Sequence, residues 1–266
     1  MWTHQRQQTF APSPDSKSTI RYRLQAHEAA VVDALRYQEE PPNGNVLVIG
    51  DQHEPFTLPG YLQFCLDTQR KYGCSTVVHI GDLIDAHSLS QYDHDPDGFN
   101  AGQESTRAVT RLKEWYQAFP IVKGCMGNHD HRADIKAFKA GIPKRKLKTF
   151  KQEMEMPEGW DFQETHVLDG VMYRHQGGQG VNPAYNYAIA NGVSTVMGHT
   201  HTARGVRDMD QYDRYLFGLD TGCGIDKDAY SMAYAKNNKN PIKLGCGVVV
   251  EGGQMGISVR MTENYL

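Results

Sequence analysis

Three short apolar runs constrain this chain more than anything else in it, because each is rich in β-branched residues and each ends on the same punctuation. Asn45-Val46-Leu47-Val48-Ile49 runs into Gly50-Asp51, Ser75 to Ile80 into Gly81-Asp82, and Ile121 to Met126 into Gly127-Asn128. Runs of this length and composition read as buried strands. The periodicity between them predicts helices over Leu58 to Tyr72 and Gln103 to Ala118, and an earlier one over Ala26 to Glu40 that Pro41-Pro42 halts. Strands that alternate with helices imply right-handed crossovers and a largely parallel sheet, whose functional groups gather outside the carboxyl ends of the strands. Three such ends carry Asp or Asn here.

From Trp160 onward strand-like segments crowd together: Phe162 to Leu168, Val171 to His175, Ser194 to Met197 and Arg214 to Leu219. Gly245 to Val250 and Met255 to Met261, joined across Gly252-Gly253, read as a hairpin. No repeat, low-complexity tract or linker divides the chain. The expectation is a polar tail over 1–25 and a single domain over 26–266. A net charge of −3 calls for no nucleic-acid or membrane partner globally, so attraction of a substrate must come from the site itself. The five cysteines lack paired spacing and the N-terminus lacks an apolar run, which together point to reduced thiols, a cytoplasmic setting and no membrane anchor.

Chemistry concentrates in five clusters: Asp51-x-His53, Asp82-x-x-Asp85, Asn128-His129-Asp130, His175, and His199-x-His201. Glycine stands close to each, and glycine at a strand exit lets neighbouring backbones approach closely enough for side chains to converge. Carboxylate oxygens mixed with imidazole nitrogens suit manganese, iron or zinc better than magnesium or calcium, which prefer all-oxygen shells. An asparagine amide oxygen adds a neutral ligand.

Any one of these clusters also arises as a turn or a satisfied core histidine. In their order, D-x-H, GDxxD, GNHD, a lone His and GH-x-H, they resemble the calcineurin-like metallophosphoesterase family over Gly50 to His201. That resemblance implies a four-layer α-β-β-α sandwich of two mixed β-sheets flanked by helices, and two divalent metal ions, with manganese the first choice and iron, zinc or nickel as others. It assigns Asp51, His53 and His201 to one metal, Asn128, His175 and His199 to the other, and Asp82 as the bridge. His129 becomes the catalytic histidine, Asp85 a carboxylate just outside the ligands, and Asp130 the brace of His129 or its loop. One departure stands in the fourth motif, where Gln176 separates His175 from Gly177-Gly178. His166, the nearby competitor, has no glycine beside it, and His175 is retained.

Two divalent ions about 3.5 to 4 Å apart share and activate a water, so the implied reaction is hydrolysis of a phosphoester by metal hydroxide, with His129 stabilising charge or donating a proton. No GxxxxGK[ST] loop or nucleophile elbow competes. The expected substrate is a phosphodiester in a nucleotide or nucleic acid. A phosphomonoester or phosphoprotein, and a non-catalytic metal-stabilised binding module, are the alternatives. The basic run Lys144 to Lys151 with Arg132 and Arg204 would serve a nuclease. Tyr92, Phe99, Tyr185 and Tyr187 would wall a small-molecule site, although packing is the simpler use of Tyr185 and Tyr187 beside the helix start at Pro183. Oligomeric state is not legible.

Overall fold

Asn45–Ile49 forms β1, and its alternate residues serve two different cores: Val46 and Val48 pack toward a second sheet, Leu47 and Ile49 toward helices. Such double burial is what a continuous apolar strand requires, at about 1.5 to 3 kcal/mol for each large side chain removed from water. The computed structural model describes residues 44–91, 97–210, 214–229 and 240–266, all within one compact unit, Glu39–Leu266. The polar tail, the helix expected over Ala26 to Glu40, and Tyr92 lie outside the described residues.

After β1 come α1 (Tyr61–Tyr72), β2 (Cys74–His79), α2 (Ala101–Ala118) and β3 (Val122–Cys125). Helix α1 begins later than the periodicity predicts because Pro59-Gly60 precedes its first turn, and it ends at Gly73 in the left-handed region. Helix α2 begins two residues earlier than predicted, at a capping box between Asn100 and Gln103. Then follow α3 (Arg132–Lys139), the single turn α4 (Phe150–Glu153), β4 (Trp160–Gln163), β5 (Thr165–Leu168) and β6 (Val171–Arg174). The remainder is α5 (Pro183–Asn191), β7 (Thr195–Met197), β8 (Gly205–Asp210), β9 (Tyr215–Asp220), β10 (Gly245–Val250) and β11 (Met255–Arg260).

The first sheet has the order β11-β10-β1-β2-β3-β4, parallel from β1 to β4 and antiparallel at β10 and β11. The second, β5-β6-β7-β9-β8, is also mixed. Valines of β1 and β2 meet Tyr173, Val196, Phe217 and Leu219 between the sheets. Tyr61, Phe64, Leu112 and Trp115 of α1 and α2 cover the other face of the first sheet, and α5 packs on β7 and β9 of the second. The α/β architecture of two mixed sheets with flanking helices is as expected, and so is the hairpin β10-β11.

Two local expectations are corrected. Phe162 to Leu168 is not one strand: the chain breaks at Glu164, leaving β4 in the first sheet and β5 in the second. Period-two patterning continues through such a corner and cannot reveal it. Strand β8 is absent from the sequence expectation, because Arg207, Asp208 and Asp210 make its sequence polar; it is an edge strand, where charge discourages further pairing.

Candidate metal centre

The loops leaving β1 and β2 hold each other before any side chain is considered. Backbone N–H groups of Gln52 and His53 both donate to the Asp82 carbonyl, Glu54 N donates to Leu83 O, and Asp85 N returns a bond to Glu54 O. His53, Asp82 and His199 all adopt positive φ, at 57°, 50° and 68°. Each such non-glycine residue costs energy and persists only where its surroundings enforce it, which makes the coincidence at three predicted site residues informative. Gly127 explains the close packing: a Cβ there would lie 2.1 Å from Asp82 Oδ1, and a Cβ on Gly198 would lie 2.1 Å from Asp51 Oδ1.

Two of the three donor groups that result share Asp82; the third is His53, Asp85 and His129. Asp51, His53, Asp82 and His201 present ligand atoms within 4.8 Å of one another, and so do Asp82, His175 and His199. Asp82 Oδ2 lies 3.6 Å from His53 Nε2, 3.2 Å from His175 Nε2 and 3.9 Å from His129 Nε2. Asn128 Oδ1 joins the second group, 3.1 Å from His175 Nε2. All seven residues expected as ligands therefore converge, His175 included. His166 instead sits on β5, bonded through Nε2 to Gly124 O at 2.8 Å.

The donors fit cations. Asp51 Oδ1 is buried without a hydrogen-bond partner, and His53 Nε2 faces His201 Nε2 at 2.9 Å, two nitrogens with at most one proton to share. Burial opposes charge on Asp51 and Asp82, yet the surrounding imidazoles hold both carboxyls below their usual range. Burial likewise opposes a charged His175, but Asp82 and Asp51 lift it to about 9. The carboxylates thus draw positive charge into a dry pocket, and a divalent ion on the same nitrogens and oxygens satisfies that demand.

The three remaining predicted residues surround this core. Asp85, buried, has Oδ2 at 3.2 Å from His53 Nδ1, the nitrogen turned away from the shared centre, and so can fix that ring. His129 lies at the rim, its Nδ1 2.7 Å from Asp85 O and its ring 4.5 Å edge-on from His53. Asp130 accepts from Gly127 N at 2.8 Å and Ile84 N at 3.2 Å, tying the GNHD loop to the β2 exit, and burial beside Asp82 pushes its carboxyl up to about 7. Both of these contacts are with loop backbone.

Sequence reasoning missed three supports. Glu54 is fully buried and pairs with Arg111 Nε at 2.5 Å, while Arg111 also donates to Thr57 O at 2.8 Å. Glu104 accepts from the backbone N–H groups of His87 and Ser88 at 2.6 and 3.0 Å, fixing the segment after Asp85. Arg132, read only as a groove cation, donates to His129 Nε2 at 3.0 Å and to Asp85 O at 2.8 Å. A signal did exist for Arg111, which borders the buried stripe Ala108, Leu112, Trp115 of α2 where an unpaired charge would be out of place. Of the other groove candidates, Arg204 is part-buried and bonds Ser258 Oγ at 3.1 Å. The aromatic candidates Phe99, Tyr185 and Tyr187 instead engage Arg107, Arg207 and Arg174 as cation–π partners.

All five cysteines are buried and unpaired, and no described helix is long and apolar enough to cross a membrane. Among solved structures the chain is similar to a metallophosphoesterase from Sphaerobacter thermophilus, at 15% identity and a TM-score of 0.41 over 82% of this chain and 88% of that one. It is similar also to the phosphoesterase Yfce from E. coli, at 14% identity and a TM-score of 0.38 over 81% of this chain and 100% of that one. The nuclease MPE of Pseudomonas putida aligns at 12% identity and a TM-score of 0.35, over 79% of this chain and 85% of that one. No curated protein matches. The model of the calcineurin-like phosphoesterases matches residues 44–218, the span that contains every ligand candidate, and this chain belongs to that family of metal-dependent phosphoesterases.

Proposed function

We propose that the protein hydrolyses phosphodiesters of nucleotides or nucleic acid with two divalent ions, manganese first among iron, zinc and nickel, in a reducing compartment such as the cytoplasm. The observation that carries this reading is the position of Asp82, common to two donor groups and within 3.9 Å of imidazole nitrogens on three separate loops. Asp51, His53 and His201 would hold one ion, Asn128, His175 and His199 the other. When bound, such a pair supplies Lewis acidity toward the phosphoryl group and a nucleophile at neutral pH.

The protein's own groups set the rest. His129 offers Nδ1–H to Asp85 O and accepts from Arg132 at Nε2, so both ring nitrogens are engaged and the imidazole is neutral; burial lowers its pKa to about 4. With its single proton committed to Asp85 O, His129 has none to give at Nε2, and it acts on the phosphoryl group through the guanidinium that Nε2 holds. The two therefore act as a pair, with the guanidinium facing a non-bridging phosphoryl oxygen and His129 holding it in place. Asp85 fixes His53, and Asp130 fixes the loop that carries Asn128 and His129.

The test is metal analysis of purified protein together with turnover of bis-p-nitrophenyl phosphate. The expected result is about two ions per chain and manganese-dependent turnover that chelation abolishes. Two bound ions without turnover of mono- or diesters would leave a metal-stabilised binding module instead, and preference for the monoester would make it a phosphatase.

A further inference from the structure

A cleft of about 230 Å³ opens directly off Asn128 and runs along α3. Its wall carries Arg132, Lys136 and Lys139, with Leu89 and Ile135 beside them, and no Asp or Glu among the described residues that line it. At 100° per residue, Arg132, Ile135, Lys136 and Lys139 fall within an arc of ~100° on the face of α3 opposite the buried Ala137. This is a built stripe in a chain whose net charge is −3. Neither Lys136 nor Lys139 has a carboxylate partner among the described residues, whereas Asp134 on another side of the helix is 3.5 Å from Lys144. The basic turn Lys144–Lys146 packs against the same helix and extends its positive surface.

The neighbouring pocket, which shares Leu89, is lined instead by Glu54, Glu104 and Glu153 and by no Lys or Arg. From Arg132 to Lys139 the stripe covers about 10 Å of helix axis, farther than a single phosphoryl group at the Asp82 centre extends. Lys136 and Lys139 have nothing to bind on a lone phosphoester, and everything to bind on one that continues as a charged backbone. Leu89 and Ile135 offer apolar surface to sugars and bases, which an unpaired strand can present and a duplex keeps stacked inside.

We propose that this cleft is a subsite for the phosphates that flank the scissile diester in a single strand of nucleic acid, with Lys136 and Lys139 as its contacts. The inference rests on the phosphodiesterase reading above. Its test compares wild type, the Lys136→Gln/Lys139→Gln double variant, and a control, Lys71→Gln/Lys113→Gln, that removes equal charge elsewhere. A fluorescent single-stranded 12-mer is titrated by anisotropy in chelator at several salt concentrations, and kcat and KM are measured with manganese on the 12-mer and on bis-p-nitrophenyl phosphate. The expected result for the double variant is a roughly tenfold or larger rise in KM for the 12-mer and a salt slope shallower by about 1.4, two lost phosphate contacts at ~0.7 each. The ratio of 12-mer to small-diester kcat/KM falls in parallel, and the control stays at wild type. Wild-type binding and salt slope in the double variant would overturn the subsite, as would a wild-type protein that turns over the small diester but neither binds nor cleaves the 12-mer. Failure of wild type on both substrates would instead strike the phosphodiesterase reading itself.

Discussion

The two sheets contribute to the centre in unlike ways. The first sheet delivers Asp51, His53, Asp82 and Asp85 from loops laced together by backbone bonds, and all four side chains are buried. The second delivers His199 and His201 from one loop beyond β7, with His199 exposed and His201 half-buried; only His175 is enclosed. Negative charge is therefore built into the rigid half, and most of the neutral donors sit on the open half. A centre divided this way keeps its carboxylates ordered before any ion arrives, while the side from which ions and substrate enter remains accessible.

Asp82→Asn breaks that division most severely. Asparagine tolerates the positive φ of 50° and keeps an oxygen for His129 N, so the loop geometry survives while the shared charge is lost. The expected outcome is loss of both ions and a fall of at least about a thousandfold in turnover, roughly 4 kcal/mol of transition-state stabilisation. Metal analysis and bis-p-nitrophenyl phosphate kinetics check it; two retained ions with normal turnover would refute the bridge. His199→Ala, on the open half, is a milder cut. It should lower occupancy toward one ion and turnover by about a hundredfold.

Much of this arrangement is legible in the residues alone. The β1, β2 and β3 runs and the glycines that end them put Asp51, Asp82 and Asn128 at neighbouring strand exits, because continuous apolar strands in βαβ order leave few alternatives. His175 joins them despite Gln176, since β6 lies parallel to β7 and brings its end beside the GH-x-H loop. What escapes a linear reading is whatever depends on packing between segments remote in sequence. Glu54 and Arg111 stand 57 positions apart, and nothing local says that they meet. The corner at Glu164 and the polar edge strand β8 escape because sheet membership is a tertiary property that periodicity does not encode.

Arg111→Met sharpens the comparison from the stability side. Glu54 would remain fully buried without its guanidinium, and Thr57 O would lose a donor. Removing one partner of a buried pair costs about 3 to 5 kcal/mol, but the Arg111 side chain is 40% exposed, and solvent screening reduces the expectation to about 2 kcal/mol. Urea unfolding of the chelated protein measures it. An unchanged midpoint would mean that the first-sheet loops do not need this support.

The smallest effect belongs to the second sheet and appears as pH dependence. Asp220, at the end of β9, is buried and accepts from Ala184 N at the start of α5 at 3.2 Å. Burial raises its carboxyl to about 7, although the Ala184 N–H and the positive charge of Lys243 favour the charged form. A folded pKa above the unfolded value means that the native state holds the extra proton between roughly pH 4 and 7. Stability is then full below that window, declines through it and stays low above it. Asp220→Asn keeps the acceptor for Ala184 N and removes the titration. It should therefore unfold at a higher urea concentration than wild type at pH 8 and match it at pH 4. A variant with the wild-type slope between those values would show that Asp220 is already charged in the fold, and that the second sheet, like the first, carries its carboxylate ionised.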